Sequence, residues 1–387
     1  VSPALAKGYQ RGTHRLVSPG TTLERIRPHL ASFGITRCAD ITGLDCIGIP
    51  VYVAVRPHGR VLQTSNGKGL THVDAQVSAL MEAIEHWHAE HPVAAFRRAS
   101  YAELRGAELR GEPGRVLRPR GIDGCPPSTS SDRQELDWLH GEELVSGEPA
   151  WIPAYAAYYH RDQPYGFSYN GLASGNHSIE ATLHALYEVI ERDTLARLSG
   201  PRRVHLERCD VVAIDSAVPG AIGQLAEQIA RAGLRLVLLR APSATPIHTM
   251  MAVVIDPAAF SGASMINFGT GAHLSPSVAA IRAITEAAQS RLTFIHGSRE
   301  DLHQQAYQRG ANHEALLAYF TALRTDTTWT ELDDHASDDL RHDIARAVAA
   351  VRTLGFPGAY VADLSQDKAG VSAVKVLVPG ARCPDWL

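Results

Sequence analysis

Three stretches of this sequence set carboxylates at helical spacing among core-type residues. Glu180, Glu188 and Glu191 fall in NGLASGNHSIEATLHALYEVIER (170–192), and Glu82 and Glu85 fall one turn apart in SALMEAIEHW (78–87). In RAITEAAQSR (282–291), Arg282, Glu286 and Gln289 make one stripe, with Arg291 beside it. The residues between are mostly Ala, Leu, Ile and Val. A carboxylate flanked by core residues is costly unless a cation or a hydrogen-bond donor compensates it. Three such helices brought together would line a pocket with acids, arginines and an amide. That set suits Mg2+, which takes one or two carboxylates, waters and substrate phosphates. A nucleotide phosphate chain bridged by Mg2+ is the expected ligand. A solvated acidic face would explain any one of these helices, but it does not explain why the pattern occurs three times.

The elements that must position these groups follow from the local sequence. Asn170, Gly171, Ser174 and Gly175 are turn formers. Leu183, Leu186, Tyr187 and Ile190 then recur at three and four, which predicts an amphipathic helix capped by Ser178 or Asn176, with Glu180 in its first turn. SNGKGLT (65–71) puts Lys68 between two glycines just before the Ser78–Trp87 helix, where backbone N–H groups favour anions. It lacks the full G-x-x-x-x-G-K-[ST] pattern of a P-loop. Lys7, Arg11, His14 and Arg15 make the first thirty residues basic. This segment is either a surface tail or an arm laid over phosphates, and the tight Gly12-Thr13 turn favours the arm.

Residues 34–56, LRLVLLRA, HTMMAVVID, a segment near 264–268 and AVKVLVPG read as strands, with a short helical turn from Thr22 to Leu30. GTGAHLS follows the third of the later strands, and residues 299–355 are mostly helical. Strands interspersed with long helices predict an α/β (α+β) fold. Residues 105–137 are rich in Gly, Pro and Ser and read as a surface loop or linker, and 381–387 as a C-terminal tail. His303, His313, His335 and His342 lack metal-ligand spacing and are expected to face solvent.

With 387 residues, the chain suffices for subdomains sharing a large core. A net charge of −4 gives no electrostatic case for nucleic acid or an anionic membrane as the main partner. No apolar run is long enough to span a bilayer, and no signal peptide is evident. Cys38, Cys46, Cys125, Cys209 and Cys383 are odd in number and show no C-x-x-C pair, so they read as reduced, cytoplasmic thiols that pack in the core.

SNGKG with SALMEAIE, NGLASG with EATLHALYEVIER, and GTGAHL with RAITEAAQSR resemble, in order, the ATP-binding motifs of the YcaO superfamily. The opening GTHR and the closing KVLVPG extend the resemblance over essentially the whole chain, as a single domain of intertwined subdomains, residues 1–387. The resemblance implies a YcaO-type ATP-binding fold of mixed β-sheets packed with long helices, commonly dimeric. It also implies ATP-dependent phosphorylation of a peptide backbone amide, followed by attack of a nucleophile. A Cys, Ser or Thr side chain gives an azoline, sulfide gives a thioamide, and an amine or amide gives an amidine. Carried over to this sequence, Glu82, Glu85, Glu188 and Glu191 are implied Mg2+ ligands. Ser78, Asn170, Glu180, Arg192, Arg282, Glu286 and Gln289 are implied ATP contacts, with Lys68, Arg15 and Lys7 as looser assignments. His86 stands where many relatives have Arg and is left out of the metal set. No residue is identified as the general base.

Azoline-forming relatives tend to end in a proline-rich tail, whereas this sequence ends ARCPDWL. That departure favours thioamide or amidine formation. Residues 1–30 are too short for a fused leader-peptide-binding domain. A separate, TfuA-like partner that brings the peptide or the sulfur is therefore expected. The remaining alternatives are an azoline-forming cyclodehydratase and a non-catalytic ATP-binding scaffold.

Overall fold

The computed structural model describes residues 4–60, 62–93, 95–122, 131–159, 166–200, 204–258, 265–300, 302, 313–366 and 369–384, with 313 and 314 by backbone alone. The described elements, in chain order, are α1 (Pro19–Ile26), β1 (Arg37–Asp40), β2 (Val51–Val55), β3 (Thr64–Lys68), α2 (His72–Glu90), β4 (Arg97–Ser100), α3 (Tyr101–Leu109), β5 (Arg115–Val116), β6 (Glu135–Glu143), β7 (Pro149–Pro153) and α4 (Ala154–Ala157). There follow β8 (Leu172–Gly175), α5 (Ser178–Leu198), β9 (Asp210–Val211), α6 (Gly220–Arg231), β10 (Arg235–Arg240), β11 (His248–Ile255), β12 (Ile266–His273), α7 (Pro276–His296), α8 (His313–Ala322), α9 (Leu340–Thr353), β13 (Tyr360–Asp363) and β14 (Ser372–Leu377). The mixture of sheets and long helices agrees with the expected fold class.

The chain divides into two discontinuous units: residues 1–6, 84–197 and 337–387, and residues 7–83 and 198–336. The first unit holds one sheet in the order β5-β7-β6-β13-β14-β8, with β4 also paired to β6. Trp138, Leu139, Ile152 and Tyr155 pack in its core. Trp138 is fully buried, and its indole N–H donates to the Ala99 carbonyl at 2.9 Å, which removes the penalty of an unpaired buried donor. Ser100 and Glu103 form a capping box that starts α3.

The second unit holds two antiparallel sheets, β1-β2-β3 and β12-β11-β10-β9. From Thr249 to Ile255 every residue of β11 is buried, which explains why HTMMAVVID reads as a nearly continuous apolar run. Met250, Ala252 and Val254 share a core with Ala279, Ala283 and Ala287 of α7. Pro276 at the first turn and Gly297 at the C-cap, with φ 65°, delimit α7.

Several local expectations are corrected. SNGKG is not a loop: Asn66, Gly67 and Lys68 pair with Val53, Tyr52 and Val51 as strand β3. GTGAH is likewise the end of β12, and Leu172–Gly175 of the supposed turn is β8, buried throughout. In β3 and β12 the glycines serve close approach of a helix to a strand. A Cβ on Gly67 would stand 2.0 Å from Ala79 N and 2.3 Å from Ala75 O. On Gly269 it would stand 2.1 Å from Ala287 N and 2.3 Å from Ala283 O.

The supposed linker 105–137 contains most of α3, β5, a 3-10 turn at Pro119–Gly121 and the start of β6, while 123–130, with Cys125, lie outside the described residues. Of the tail, Arg382 N–H donates to Asp193 at 3.2 Å, and 385–387 lie outside the described residues. Of the cysteines expected in the core, Cys209 is buried, Cys38 and Cys383 are half-buried, and Cys46 is exposed. His342 faces solvent, but His335 stacks on His248 at 5.7 Å, and His303 and the His313 side chain are outside the described residues.

Candidate functional site: three helices with polar stripes

A surface helix exposes about half of its circumference. The three motif helices do not. From Ala79 to Glu90 of α2, Glu82 and Glu85 are the only residues that are not buried, and Ser78 continues their stripe one turn earlier. From Val278 to Thr293 of α7, the residues left open are Arg282, Glu286, Gln289 and Ser290. From Glu180 to Leu195 of α5 they are His184, Glu188 and Arg192, at every fourth position. Each helix is thus packed on nearly all sides and open along one polar line.

In the second unit, Lys68 at the end of β3 reaches Glu286 at 2.5 Å. The other Glu286 oxygen accepts from Thr270 N–H and Oγ1, each at 3.1 Å. Burial pushes the Glu286 carboxyl up, but the Lys68 ammonium, its hydrogen bond, the Thr270 N–H and Arg282 outweigh it and hold the group below the usual range. Gln289 donates to the Asn66 carbonyl at 3.4 Å, while its own Oε1 is buried without a partner. Asn66 is fixed in turn by Thr293 Oγ1 at 2.9 Å. Asn66 was missed in the sequence, where only its place inside SNGKG marked it.

The N-terminal segment is an arm. Tyr9 and Arg15 exchange backbone hydrogen bonds of 3.0 and 2.9 Å, closing a hairpin around Gly12. Gly12 sits against Leu70 and Ile281, where a Cβ would come within 2.6 Å of Leu70 Cδ1. Lys7 is buried and donates to His14 Nδ1 at 2.8 Å, and the His14 and His273 rings meet edge to face at 4.7 Å. Burial first, then the charges of His14, Lys7, Arg282 and Arg15, push the His273 pKa well below 6.5. Three assigned ATP contacts, Lys7, Arg15 and Arg282, therefore gather around one buried neutral imidazole, an electropositive environment that fits phosphate oxygens.

The sign of the resulting pH dependence is fixed. His273 is neutral in the native state, whereas an unfolded chain takes up its proton below about pH 6.5, so its contribution is present above that pH and lost as pH falls. The melting temperature is expected to drop between about pH 7 and about pH 5, with a shallower drop in His273→Gln. Equal slopes in scanning calorimetry would contradict this.

In the first unit, Glu188 Oε1 accepts from Gly171 N–H at 3.0 Å and faces Arg192 Nη2 at 3.6 Å. Burial works against the Arg192 charge, but Glu188, Cys383 and Glu191 outweigh it and keep the guanidinium protonated. Asn170 is buried, and its Oδ1 has no partner. Glu180, 2% exposed, does not share the open stripe. Its carboxylate accepts from Asn176 N–H and Nδ2 at 2.9 and 3.1 Å, fixing the entry to α5. Glu191 is buried at 8% exposure. His184, absent from the sequence assignments, completes the stripe; its four-residue spacing from Glu188 was the available signal. His86 packs edge to face on Tyr169 at 5.4 Å.

The residues present fit a magnesium nucleotide in two respects. The unpaired acceptors of Asn170 and Gln289 await donors, and the cations around His273 await an anion. Among the described residues no group of three or more His, Cys, Asp or Glu stands ready to hold a metal. Mg2+ is usually completed by waters and substrate phosphates rather than by an all-protein cage, so carboxylates without a finished cage suit it.

The family model described as YcaO cyclodehydratase, ATP- and Mg2+-binding, matches residues 66–382. A Mycobacterium tuberculosis protein is 40% identical over 96% of this chain and 83% of its own length. A Rhizobium leguminosarum protein, described as lying in the tfuA 3′ region, is 34% identical over 95% of this chain and 88% of its own length. Among solved structures, YcaO from Methanopyrus kandleri bound with AMPPCP and Mg2+ superposes with a TM-score of 0.77 at 24% identity, covering 97% of this chain and 94% of that one. A heterocyclase in complex with substrate and cofactor gives 0.79 at 23% identity, covering 99% of this chain and 54% of that one. The fold and the family model define an enzyme of the ATP- and Mg2+-dependent class that acts on peptides. The chain belongs to the YcaO family, and ATP and Mg2+ are its cofactors. Among the described residues no helix is long and apolar enough to cross a membrane.

Proposed function

We propose that this enzyme activates a peptide backbone amide with ATP and directs sulfur to the activated carbon, forming a thioamide together with a TfuA-like partner that brings the peptide or the sulfur. The amide-activating part rests on the three buried helices that open only along polar lines. The choice of thioamide rests on the Rhizobium relative in the tfuA 3′ region, 34% identical over 95% of this chain.

ATP supplies the phosphoryl group that turns an amide oxygen into a leaving group. The protein's part is to position the reactants and to hold the charge that develops on the phosphoryl oxygens. Glu82, Glu85, Glu188 and Glu191 hold Mg2+. Lys7, Arg15, Lys68, Arg192 and Arg282 supply positive charge to the phosphates, while Ser78, Asn170, Glu180, Glu286 and Gln289 hold the nucleotide or the groups around it. The chain works as a homodimer in this reading. A scaffold without chemistry would have no use for four Mg2+-type carboxylates.

Azoline formation is the second reading, favoured by the cyclodehydratase description of the family model. Mass spectrometry of a peptide treated with enzyme, partner, Mg2+-ATP and a sulfide source separates the two. A mass gain equal to exchange of oxygen for sulfur supports thioamidation. Loss of water, with no sulfur gained, would overturn it in favour of the azoline. Arg282→Ala is expected to weaken nucleotide binding by about tenfold or more, the worth of one charge-assisted contact. A change confined to peptide affinity would remove Arg282 from the nucleotide set.

A further inference from the structure

Lys375, in the middle of β14, is 1% exposed. Its ammonium donates to the Ser168 carbonyl and lies 5.3 Å from the centroid of the Phe167 ring. Ser168 Oγ accepts from the Asn170 N–H at 3.3 Å. The next ring, Tyr169, meets Phe167 at 5.3 Å and His86 of α2 at 5.4 Å. Gly171 N–H is held by Glu188 of α5 at 3.0 Å. Residues 167–171 are thus fixed from β14, α2 and α5, all within the first unit. Among these anchored residues stands Asn170, whose Oδ1 is buried and unpaired.

Burying an ammonium costs several kcal/mol unless its surroundings compensate it, and a well-packed apolar side chain of similar length is often neutral or stabilising in its place. Strand β14 alone therefore gives no reason for a lysine at this position. What the charge does here is bind a carbonyl of the segment that presents Asn170, and that bond is stronger than one between neutral groups.

We infer that Lys375 is a positioning residue for the nucleotide: through the Ser168 carbonyl it fixes residues 167–170 so that the Asn170 carboxamide meets the bound ATP. The inference rests on the nucleotide role proposed for Asn170.

The test is calorimetric titration of the whole chain with Mg2+-AMPPCP in Lys375→Met, Lys375→Arg, Asn170→Ala and the double variant Lys375→Met/Asn170→Ala, with melting temperatures alongside. Lys375→Met is expected to weaken affinity about tenfold with its melting temperature unchanged or raised, and Lys375→Arg to recover part of the loss. In the Asn170→Ala background, Lys375→Met should add little, because both act through one contact. Full additivity in a double variant, with Asn170→Ala itself impaired, would overturn the role of Lys375 and leave Asn170 at the nucleotide. Normal affinity in Asn170→Ala would overturn both. If Lys375→Met does not fold, wild-type affinity in folded Lys375→Arg would also count against the inference, since a guanidinium cannot reproduce the single-point ammonium contact unchanged.

Discussion

Glu82→Ala or Glu191→Ala is expected to remove ATP hydrolysis while the fold stays intact. Both lie on helices that bury almost every other side chain, and neither fills an apolar gap. Glu82 is half-buried on the open line of α2, so its truncation leaves no sealed cavity. Glu191 is 8% exposed, and taking away a buried carboxylate relieves a desolvation cost. Turnover, by contrast, depends on holding charge that develops on phosphoryl oxygens. Loss of one such element is worth about a thousandfold in rate, or about 4 kcal/mol of transition-state stabilisation. Phosphate release assays beside thermal melts check this, and near-normal turnover in a folded Glu191→Ala protein would contradict it. Glu188→Ala makes a contrasting case: Glu188 also holds Gly171 N–H and faces Arg192, so both activity and stability should fall.

Gly269→Ala is expected to produce the opposite split, a large loss of stability from one methyl group far from any charge chemistry. The added Cβ would stand 2.1 Å from Ala287 N, 2.3 Å from Ala283 O and 2.6 Å from Glu286 C. All three are backbone atoms of α7 that no rotamer change can move, so helix and strand must separate. Overpacking of this kind costs about 3 kcal/mol, which should appear as a lowered denaturant midpoint. Because Glu286 bonds Thr270 on the adjoining residue of β12, nucleotide affinity should fall as well. Gly220→Ala is the control: nothing stands within 4 Å of its added Cβ, and its midpoint should be unchanged or slightly raised. Equal midpoints in the two variants would mean that β12 and α7 are not in close contact.

The contrast between these variants shows which parts of the site were legible in the sequence. The polar stripes were legible because helical periodicity is written locally: Ser78, Glu82 and Glu85 on α2, and Arg282, Glu286 and Gln289 on α7, are the half-buried positions that their spacing predicts. The glycines were misread. SNGKG and GTGAHL look like phosphate loops when only composition is considered. The backbone that approaches Gly67 belongs to residues 75 and 79, and the one that approaches Gly269 to residues 283 and 287, a tertiary fact with no local signature. Glu180 was misplaced for a related reason. Its spacing suits the acidic face, but its position in the first turn of α5 lets it bond Asn176 instead. Lys375 was passed over because a lysine in VKVLV looks like an outward strand position until the strand is seen to be covered. The strands β6, β7 and β13 were missed within polar or mixed stretches, where the alternation is weak.

The most direct test is calorimetric titration of the purified protein with a non-hydrolysable ATP analogue, with and without Mg2+, in the wild type and in Glu82→Ala. Binding that requires Mg2+ and is lost in folded Glu82→Ala is the predicted result, and it would tie the carboxylate stripes to the nucleotide. Binding of equal strength in Glu82→Ala, or binding indifferent to Mg2+, would contradict it and return the stripes to an ordinary polar face.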